Sequence, residues 1–345
     1  MRGVVLPGNR TVDLREFPTP QPGYGQVLVR MKASGICGSD IRAIYREWLG
    51  TGPEAYKGCI AGHEPCGIVE EVGPGVEHFS PGDRVVVYHI VGCGVCKDCR
   101  AGWMINCKAP YPYRAAYGWQ RDGGHADFLL AEQRTLIKLP DNLTFVDGAL
   151  AACGLGTGYQ AILRAGVSGR DRVAVVGLGP VGLGILMLAR ASGAEVIGID
   201  VIPERLEMAQ KIGAEHTFLS GDNTAERIMD LTKGEGVEVV IDASGNPLGR
   251  HLCLEIAGEW GRVVFVGEGN TVSFEPSPLL IHKQLTLMGS WVCGLVQMEE
   301  LLGFLSRKEL HPEQIVTHKF PLEDADEAYR LFDSGKSGKV VITWD

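Results

Sequence analysis

Four cysteines fall within fifteen residues, Cys93-x2-Cys96-x2-Cys99-x7-Cys107, and a segment so spaced has to fold around whatever those thiols hold. Four thiolates close a tetrahedral shell around Zn2+ at about 2.3 Å each, leaving no position open for a substrate. The lobe 93–107 therefore reads as a structural zinc site, and chemistry has to be sought elsewhere. Cystine is the competing use of such thiols. The opening residues MRGVVLPGNR carry no long apolar run and no small-residue cleavage site, so the expectation is a cytoplasmic chain. In that compartment close-spaced cysteines bind metal or act in catalysis rather than pair.

A length of 345 residues is enough for two domains. The 42 acidic residues outnumber the 33 basic ones, for a net charge of −9, and no Lys/Arg block interrupts this excess. A phosphate backbone or an anionic membrane surface would be repelled on average, so neither nucleic acid nor membrane is an expected partner. The stretch 173–189 is uncharged and matches the lower length limit of a membrane helix. It contains Gly177, Gly179, Pro180, Gly182 and Gly184, however, which suit a strand, a tight turn and then a helix.

Residues 1–153 are rich in Gly and Pro, with short β-type runs at 27–31, 67–72, 84–88 and 128–131; a β-rich domain with functional loops is expected there. From 154 to 290 the rhythm changes. Strand patterns at 172–176, 195–200, 237–242 and 262–266 alternate with helix patterns at 182–192 and 204–212, as a parallel, doubly wound sheet requires. In 291–345, helices around 298–306 and 325–333 and a strand at 339–343 would return the chain to the first domain. The expected fold class is α/β, with a Rossmann-type sheet inserted in a β-rich domain.

The segment Gly177-Leu-Gly-Pro-Val-Gly182 follows one of these strands and opens a helix, and Asp200 ends the next strand. Gly177 permits the tight turn, Gly179 lets backbone approach a pyrophosphate, and Gly182 allows close helix-to-strand packing. Pro180 and Val181 begin the helix whose free N–H groups face the anion. Asp200 would accept hydrogen bonds from the adenosine ribose and repel a 2′-phosphate, which favours NAD over NADP. The plainer reading is a tight βα turn without a ligand.

Cys37, His63 and Cys153 each lie in a glycine-rich context. Two cysteines and a histidine are a recognised set for a catalytic zinc with an open fourth position; singly, each could be an ordinary core residue. Around them stand Cys37-Gly-Ser-Asp40, Gly62-His-Glu64, the four-cysteine lobe, Asp122-Gly-Gly124, Cys153-Gly-Leu-Gly-Thr-Gly158, the 177–182 turn and Ser337-Gly-Lys-Val-Val-Ile-Thr343, in that order. Over its whole length the chain resembles the zinc-dependent medium-chain dehydrogenase/reductase family of alcohol and polyol dehydrogenase type, including its sorbitol-, threonine- and galactitol-phosphate-dehydrogenase-like members.

The resemblance implies a GroES-like catalytic domain, two zinc ions and NAD. Cys37, His63 and Cys153 match the catalytic zinc ligands, Glu64 an acid beside the metal, and Asp40 the carboxylate that orients His63. Cys93, Cys96, Cys99 and Cys107 match the structural site. Thr157, Val266, Gly267 and Val292 match positions along the nicotinamide half of the cofactor, Lys339 a basic position near the pyrophosphate, and Arg205 joins Asp200 in the cofactor set. Zinc would lower the pKa of a bound hydroxyl, and Ser39 is placed to pass its proton toward solvent. Two positions depart from the pattern. Arg42 stands where many relatives have the histidine that finishes the relay, and arginine is no base. Cys153 follows the alcohol-dehydrogenase branch, where many polyol enzymes have a glutamate.

The family match also sets Trp48, His89 and Trp119 around the substrate. Two indoles and an imidazole suit the C–H face and hydroxyls of a polyol, sugar or cyclitol, although either indole could belong to the core. A simpler secondary or amino alcohol, and a non-enzymatic dinucleotide-binding protein, are the other readings. A homodimer or homotetramer is expected.

Overall fold

The computed structural model describes residues 1–47 and 55–345, so Trp48 lies outside the described residues. The chain divides into two compact units, Met1–Gly156 together with Cys293–Asp345, and Thr157–Val292.

In the first unit the strand Gln26–Gly35 is the hub. Its alternate residues Val27, Val29 and Met31 are fully buried, with Val69, Val85 and Leu129 in the same apolar cluster. It pairs antiparallel with Glu64–Val72, with Phe128–Glu132 along its first half, and with Lys339–Thr343 along its last three residues. Arg84–Val87 and Leu136–Lys138 extend the sheet on one side, and Val316–Phe320 lies parallel to Lys339–Thr343 on the other. The hub and its partner are longer than the patterns at 27–31 and 67–72 predict. Ala33, Ser34 and Gly35 have weak strand propensity, but neighbours pair with them on both sides and that tertiary context prevails. The registers Gly35↔Glu64 and Val341↔Gly35 bring the last strand of the first unit and the residue after His63 alongside Gly35, two residues before Cys37.

The helix Phe145–Leu150 begins with a capping box in which Thr144 and Asp147 exchange bonds. The fully buried Asp147 carboxylate also accepts from His311 Nδ1 at 2.8 Å and Glu313 N at 2.9 Å. This helix is thereby tied to the C-terminal segment before it widens into a π-helical turn, Ala151–Leu155. Such turns place side chains off the regular helical face, and this one carries Cys153.

The described residues of the second unit form a six-stranded parallel sheet. Its order is His216–Leu219, Glu195–Asp200, Arg172–Val176, Val237–Asp242, Ala257–Phe265, Thr286–Gly289. Counted along the chain that order is 3-2-1-4-5-6, the doubly wound arrangement in which ligands bind at the carboxyl ends of the strands. Val173, Ala174, Val175, Val239, Val240 and Ile241 are buried completely, as expected of parallel strands covered on both faces. The uncharged stretch 173–189 is the strand Arg172–Val176 followed by the helix Pro180–Ala191. No helix among the described residues is long and apolar enough to cross a membrane.

Candidate metal centre and dinucleotide turn

Cys37 precedes a short turn, Gly38–Asp40, whose last residue folds back, so that Asp40 Oδ2 accepts from Cys37 N at 3.0 Å. The other carboxylate oxygen, Oδ1, lies 2.8 Å from His63 Nδ1, and Asp40 is fully buried. A carboxylate can only accept, so Nδ1–H donates to it, and the other ring nitrogen is turned toward Cys37. That nitrogen, Cys37 Sγ, Cys153 Sγ and a Glu64 carboxylate oxygen all lie within 4.8 Å of one another.

The electrostatics suit a cation. A hydrogen bond from the Cys153 thiol, and then the nearby His63, hold Cys37 well below the usual thiol range, while the same shared proton and burial push Cys153 up. The proton shared by the two thiols, beside the bond between His63 and Cys37, occupies the position a soft divalent ion takes. Ser39 Oγ is 3.4 Å from His63 Nε2, next to that position.

Glu64 is fully buried, which pushes its carboxyl up, and Lys339 pulls it back to about 7. Lys339 Nζ is 2.5 Å from Glu64 Oε2 and donates to Ile36 O at 2.9 Å. Lys339 is only 2% exposed and lies in the first unit. Expected beside a pyrophosphate, it pairs here with Glu64 of the candidate metal cluster, where the pairing of Lys339–Thr343 with Gln26–Gly35 delivers it. Gly35 makes room, since a Cβ there would meet Glu64 Oε2 at 2.0 Å.

Behind the centre, Tyr329 Oη lies 3.1 Å from His125 Nδ1, and His125 Nε2 lies 3.4 Å from Gly35 O, all fully buried side chains. Burial pushes His125 down to about 4. Neither this pair nor the Lys339–Glu64 contact was legible in sequence.

His89 is buried with its ring centroid 5.3 Å from that of His63. Its Nδ1 donates to Ala152 O at 2.9 Å, and burial, followed by the nearby His63, pushes its pKa down to about 3. His89 is therefore neutral with an unprotonated Nε2, a fixed hydrogen-bond acceptor. Trp119 is half-buried against the cluster of Val4, Leu6, Ile44 and Tyr56, which is the core packing open to any tryptophan.

In the four-cysteine lobe the sulfurs also lie within 4.8 Å of one another. Backbone N–H groups point at them: Cys96 N to Cys93 Sγ at 3.4 Å, Cys99 N to Cys96 Sγ at 3.5 Å and Cys93 N to Cys107 Sγ at 3.4 Å. Bonds from the Val95 and Cys96 amides pull the Cys93 thiol down to about 6. All four cysteines are free, so the arrangement fits a closed thiolate site.

In the second unit Gly177 takes φ +91°, and a Cβ on Gly182 would lie 1.8 Å from Gly177 O, so only glycine closes this turn. Gly179 caps the helix and has nothing within 4 Å of a built Cβ, leaving its backbone open to an anion at the helix N-terminus, with Pro180 and Val181 next in the helix. Asp200 Oδ2 accepts from Leu178 N at 2.5 Å and Oδ1 from Ile202 N at 2.9 Å, which fixes the carboxylate beside the turn with Arg205 Nη1 3.5 Å away. Thr157 opens this unit. Val266 and Gly267 follow the strand Ala257–Phe265, and Val292 holds φ +55°. A β-branched residue at that angle costs about 1–3 kcal/mol, strain of the kind found at functional positions.

An alcohol dehydrogenase GroES-like domain matches residues 23–141 and a zinc-binding dehydrogenase domain residues 180–307. The chain is 51% identical, over 100% of its own length and 99% of the relative's, to the uncharacterized zinc-type alcohol dehydrogenase-like protein YphC of Escherichia coli. It is 33% identical, over 96% and 94%, to L-threonine 3-dehydrogenase of Pyrococcus abyssi. Galactitol-1-phosphate dehydrogenase from Escherichia coli superposes with a TM-score of 0.89 at 27% identity, covering 100% of both chains. The chain belongs to the zinc-dependent medium-chain dehydrogenase/reductase family. It is an enzyme of the zinc-type alcohol dehydrogenase kind, which uses zinc and NAD(P) on small-molecule alcohols.

Proposed function

We propose that this enzyme oxidises a secondary hydroxyl of a polyol, sugar or cyclitol, with NAD+ as hydride acceptor. One observation carries the substrate class. His89 is held as a neutral acceptor nitrogen beside the metal cluster, and such a group requires a substrate that donates a hydrogen bond at a second position. An aliphatic alcohol has no such donor. A β-hydroxy amino acid has one in its ammonium, and the similarity to L-threonine 3-dehydrogenase makes it the second reading.

Cys37, His63 and Cys153 would hold the catalytic zinc, with Glu64 in reserve, and Cys93, Cys96, Cys99 and Cys107 the structural one. The catalytic zinc supplies Lewis acidity to a bound hydroxyl, and NAD+ accepts the hydride. Asp40 fixes the His63 tautomer, and Ser39 takes up the hydroxyl proton for release. Lys339 balances the charge of Glu64, and Trp119 would border the substrate. The ten cysteines are all free, which supports a reducing, cytoplasmic setting; assembly as a homodimer or homotetramer completes the reading.

Elemental analysis of fully loaded protein should give two zinc ions per chain, only one of them removed by a mild chelator together with activity. Finding one zinc at full activity rules out the two-site reading. NAD+ should have the higher kcat/KM. Asp200→Asn keeps one acceptor oxygen, enough for only one of the Leu178 and Ile202 amides, and removes the charge that repels a 2′-phosphate. It should therefore narrow the gap to NADP+ by at least about 10-fold. A wild-type preference for NADP+ in a steady-state comparison would show that Asp200 does not select the cofactor.

A further inference from the structure

Beside the glycine turn, two other turns at the carboxyl ends of the strands Val237–Asp242 and Ala257–Phe265 are joined by a buried arginine that the reaction as described does not use. Gly177 abuts the first of them, since a Cβ on Gly177 would meet Ser244 N at 2.7 Å. The two turns meet backbone to backbone. A Cβ on Gly267 would lie 2.1 Å from Gly245 N, so no side chain can interlock them and hydrogen bonds alone set their spacing.

Those bonds converge on Asp242, which is fully buried. Its carboxylate accepts from Ser244 N at 2.9 Å, from Ser244 Oγ at 2.6 Å and from Gly245 N at 3.2 Å, which shapes the first turn. Its backbone carbonyl accepts from Val266 N at 2.9 Å and Gly267 N at 3.1 Å. Arg250, on the helix Pro247–Ile256 and only 8% exposed, bridges the rest. Its Nε is 3.4 Å from Asp242 Oδ2, Nη2 donates to Gly267 O at 2.5 Å, and Nη1 donates to Asn270 O at 3.2 Å. Asn270 closes the circuit by donating from Nδ2 to Gly245 O at 2.9 Å.

A buried arginine–carboxylate pair is a poor source of stability, because well-packed apolar groups of the same volume serve as well or better. Its rigid planar fork instead fixes the geometry of the carbonyls it binds. We propose that Arg250 is a positioning residue that holds the turn 266–270 in the shape receiving the nicotinamide half of the dinucleotide. This rests on the reading of the second unit as the NAD site, with Val266 and Gly267 along that half. Among the described residues Arg250 bonds to Asp242, Gly267 and Asn270 and not to the 177–182 turn or Asp200, so its effect should fall chiefly on one end of the cofactor.

Calorimetric titration of the zinc-loaded full chain with NAD+ and with ADP-ribose, which lacks the nicotinamide, tests this. Arg250→Met should weaken NAD+ about 10- to 100-fold, the scale of a lost charge-assisted bond, and leave ADP-ribose within about threefold. Asn270→Ala opens the same latch from its exposed end. It should give the same selectivity with a smaller effect, and it carries the comparison should Arg250→Met not fold. Wild-type protein that binds neither ligand removes the cofactor reading itself. Wild-type protein that binds both, with variants that lose both equally or lose neither, overturns the latch.

Discussion

Cys153→Ala is expected to lower kcat more than about 100-fold while the chain stays folded and still binds NAD+. Replacement of groups that merely orient a metal ligand costs about 10- to 100-fold, and removal of a ligand should cost more. Cys153 sits on the π-helical turn Ala151–Leu155, and its thiol shares a proton with Cys37. Alanine there deletes one of the two sulfurs and leaves His63, Cys37 and Glu64 to hold any ion. The helix that carries the turn is anchored independently through Asp147, so the loss should be chemical rather than structural. Cys96→Ser provides the contrast. It opens the closed lobe, and with a loss of at least about 2 kcal/mol the melting temperature should fall by roughly 4–8 °C, with smaller effects on kcat. Parallel metal analysis, thermal melts and kinetics on the two variants separate the sites. If Cys153→Ala keeps more than a tenth of wild-type kcat, the assignment of the catalytic ligands is wrong.

Polyhydroxylated secondary alcohols should exceed simple aliphatic alcohols in kcat/KM by a wide margin, up to about 10⁴-fold. A site with a buried hydrogen-bonding group rejects analogues that leave it unpaired far more strongly than an apolar site discriminates by size. Here the unpaired group would be His89 Nε2, whose orientation the Ala152 carbonyl fixes. The panel should contain sugar alcohols, free sugars, cyclitols and L-threonine beside ethanol, 2-propanol and 2-butanol, none of which has a second donor. The best substrate is then compared with its deoxy analogue in wild type and in His89→Phe. Phenylalanine keeps the aromatic packing and removes the acceptor, so the preference for the hydroxylated member should collapse. An aliphatic alcohol at the top of the panel, or a preference that His89→Phe leaves intact, excludes the polyol reading. L-threonine at the top would establish the amino-alcohol alternative.

Local physics made much of the fold readable without coordinates. The strands Arg172–Val176, Glu195–Asp200 and Val237–Asp242, the helix Ala325–Asp333 and the strand Lys339–Thr343 begin and end where apolar periodicity and turn residues place them. The 177–182 turn could be read because its glycines, its helix and Asp200 are close in sequence, and each glycine answers to a local steric demand. The four-cysteine lobe was legible for the same reason. Strand edges at 27–31 and 67–72 were not, since pairing with distant segments extended them through small residues of low propensity.

By itself, then, the sequence determined the elements whose causes lie within a few residues: a four-cysteine lobe, a glycine-rich turn between strand and helix, a parallel sheet and a set of isolated cysteines and histidines. The tertiary structure alone decided that Cys37, His63, Glu64 and Cys153 bring their ligand atoms within 4.8 Å of one another. It also decided that Lys339 pairs with Glu64, that His89 presents an acceptor nitrogen, and that Arg250 ties two turns together. These depend on sheet register and on which carbonyl lies against which donor. Helical and strand periodicities repeat over a few residues and carry no record of partners far along the chain, so only the packed fold could supply them.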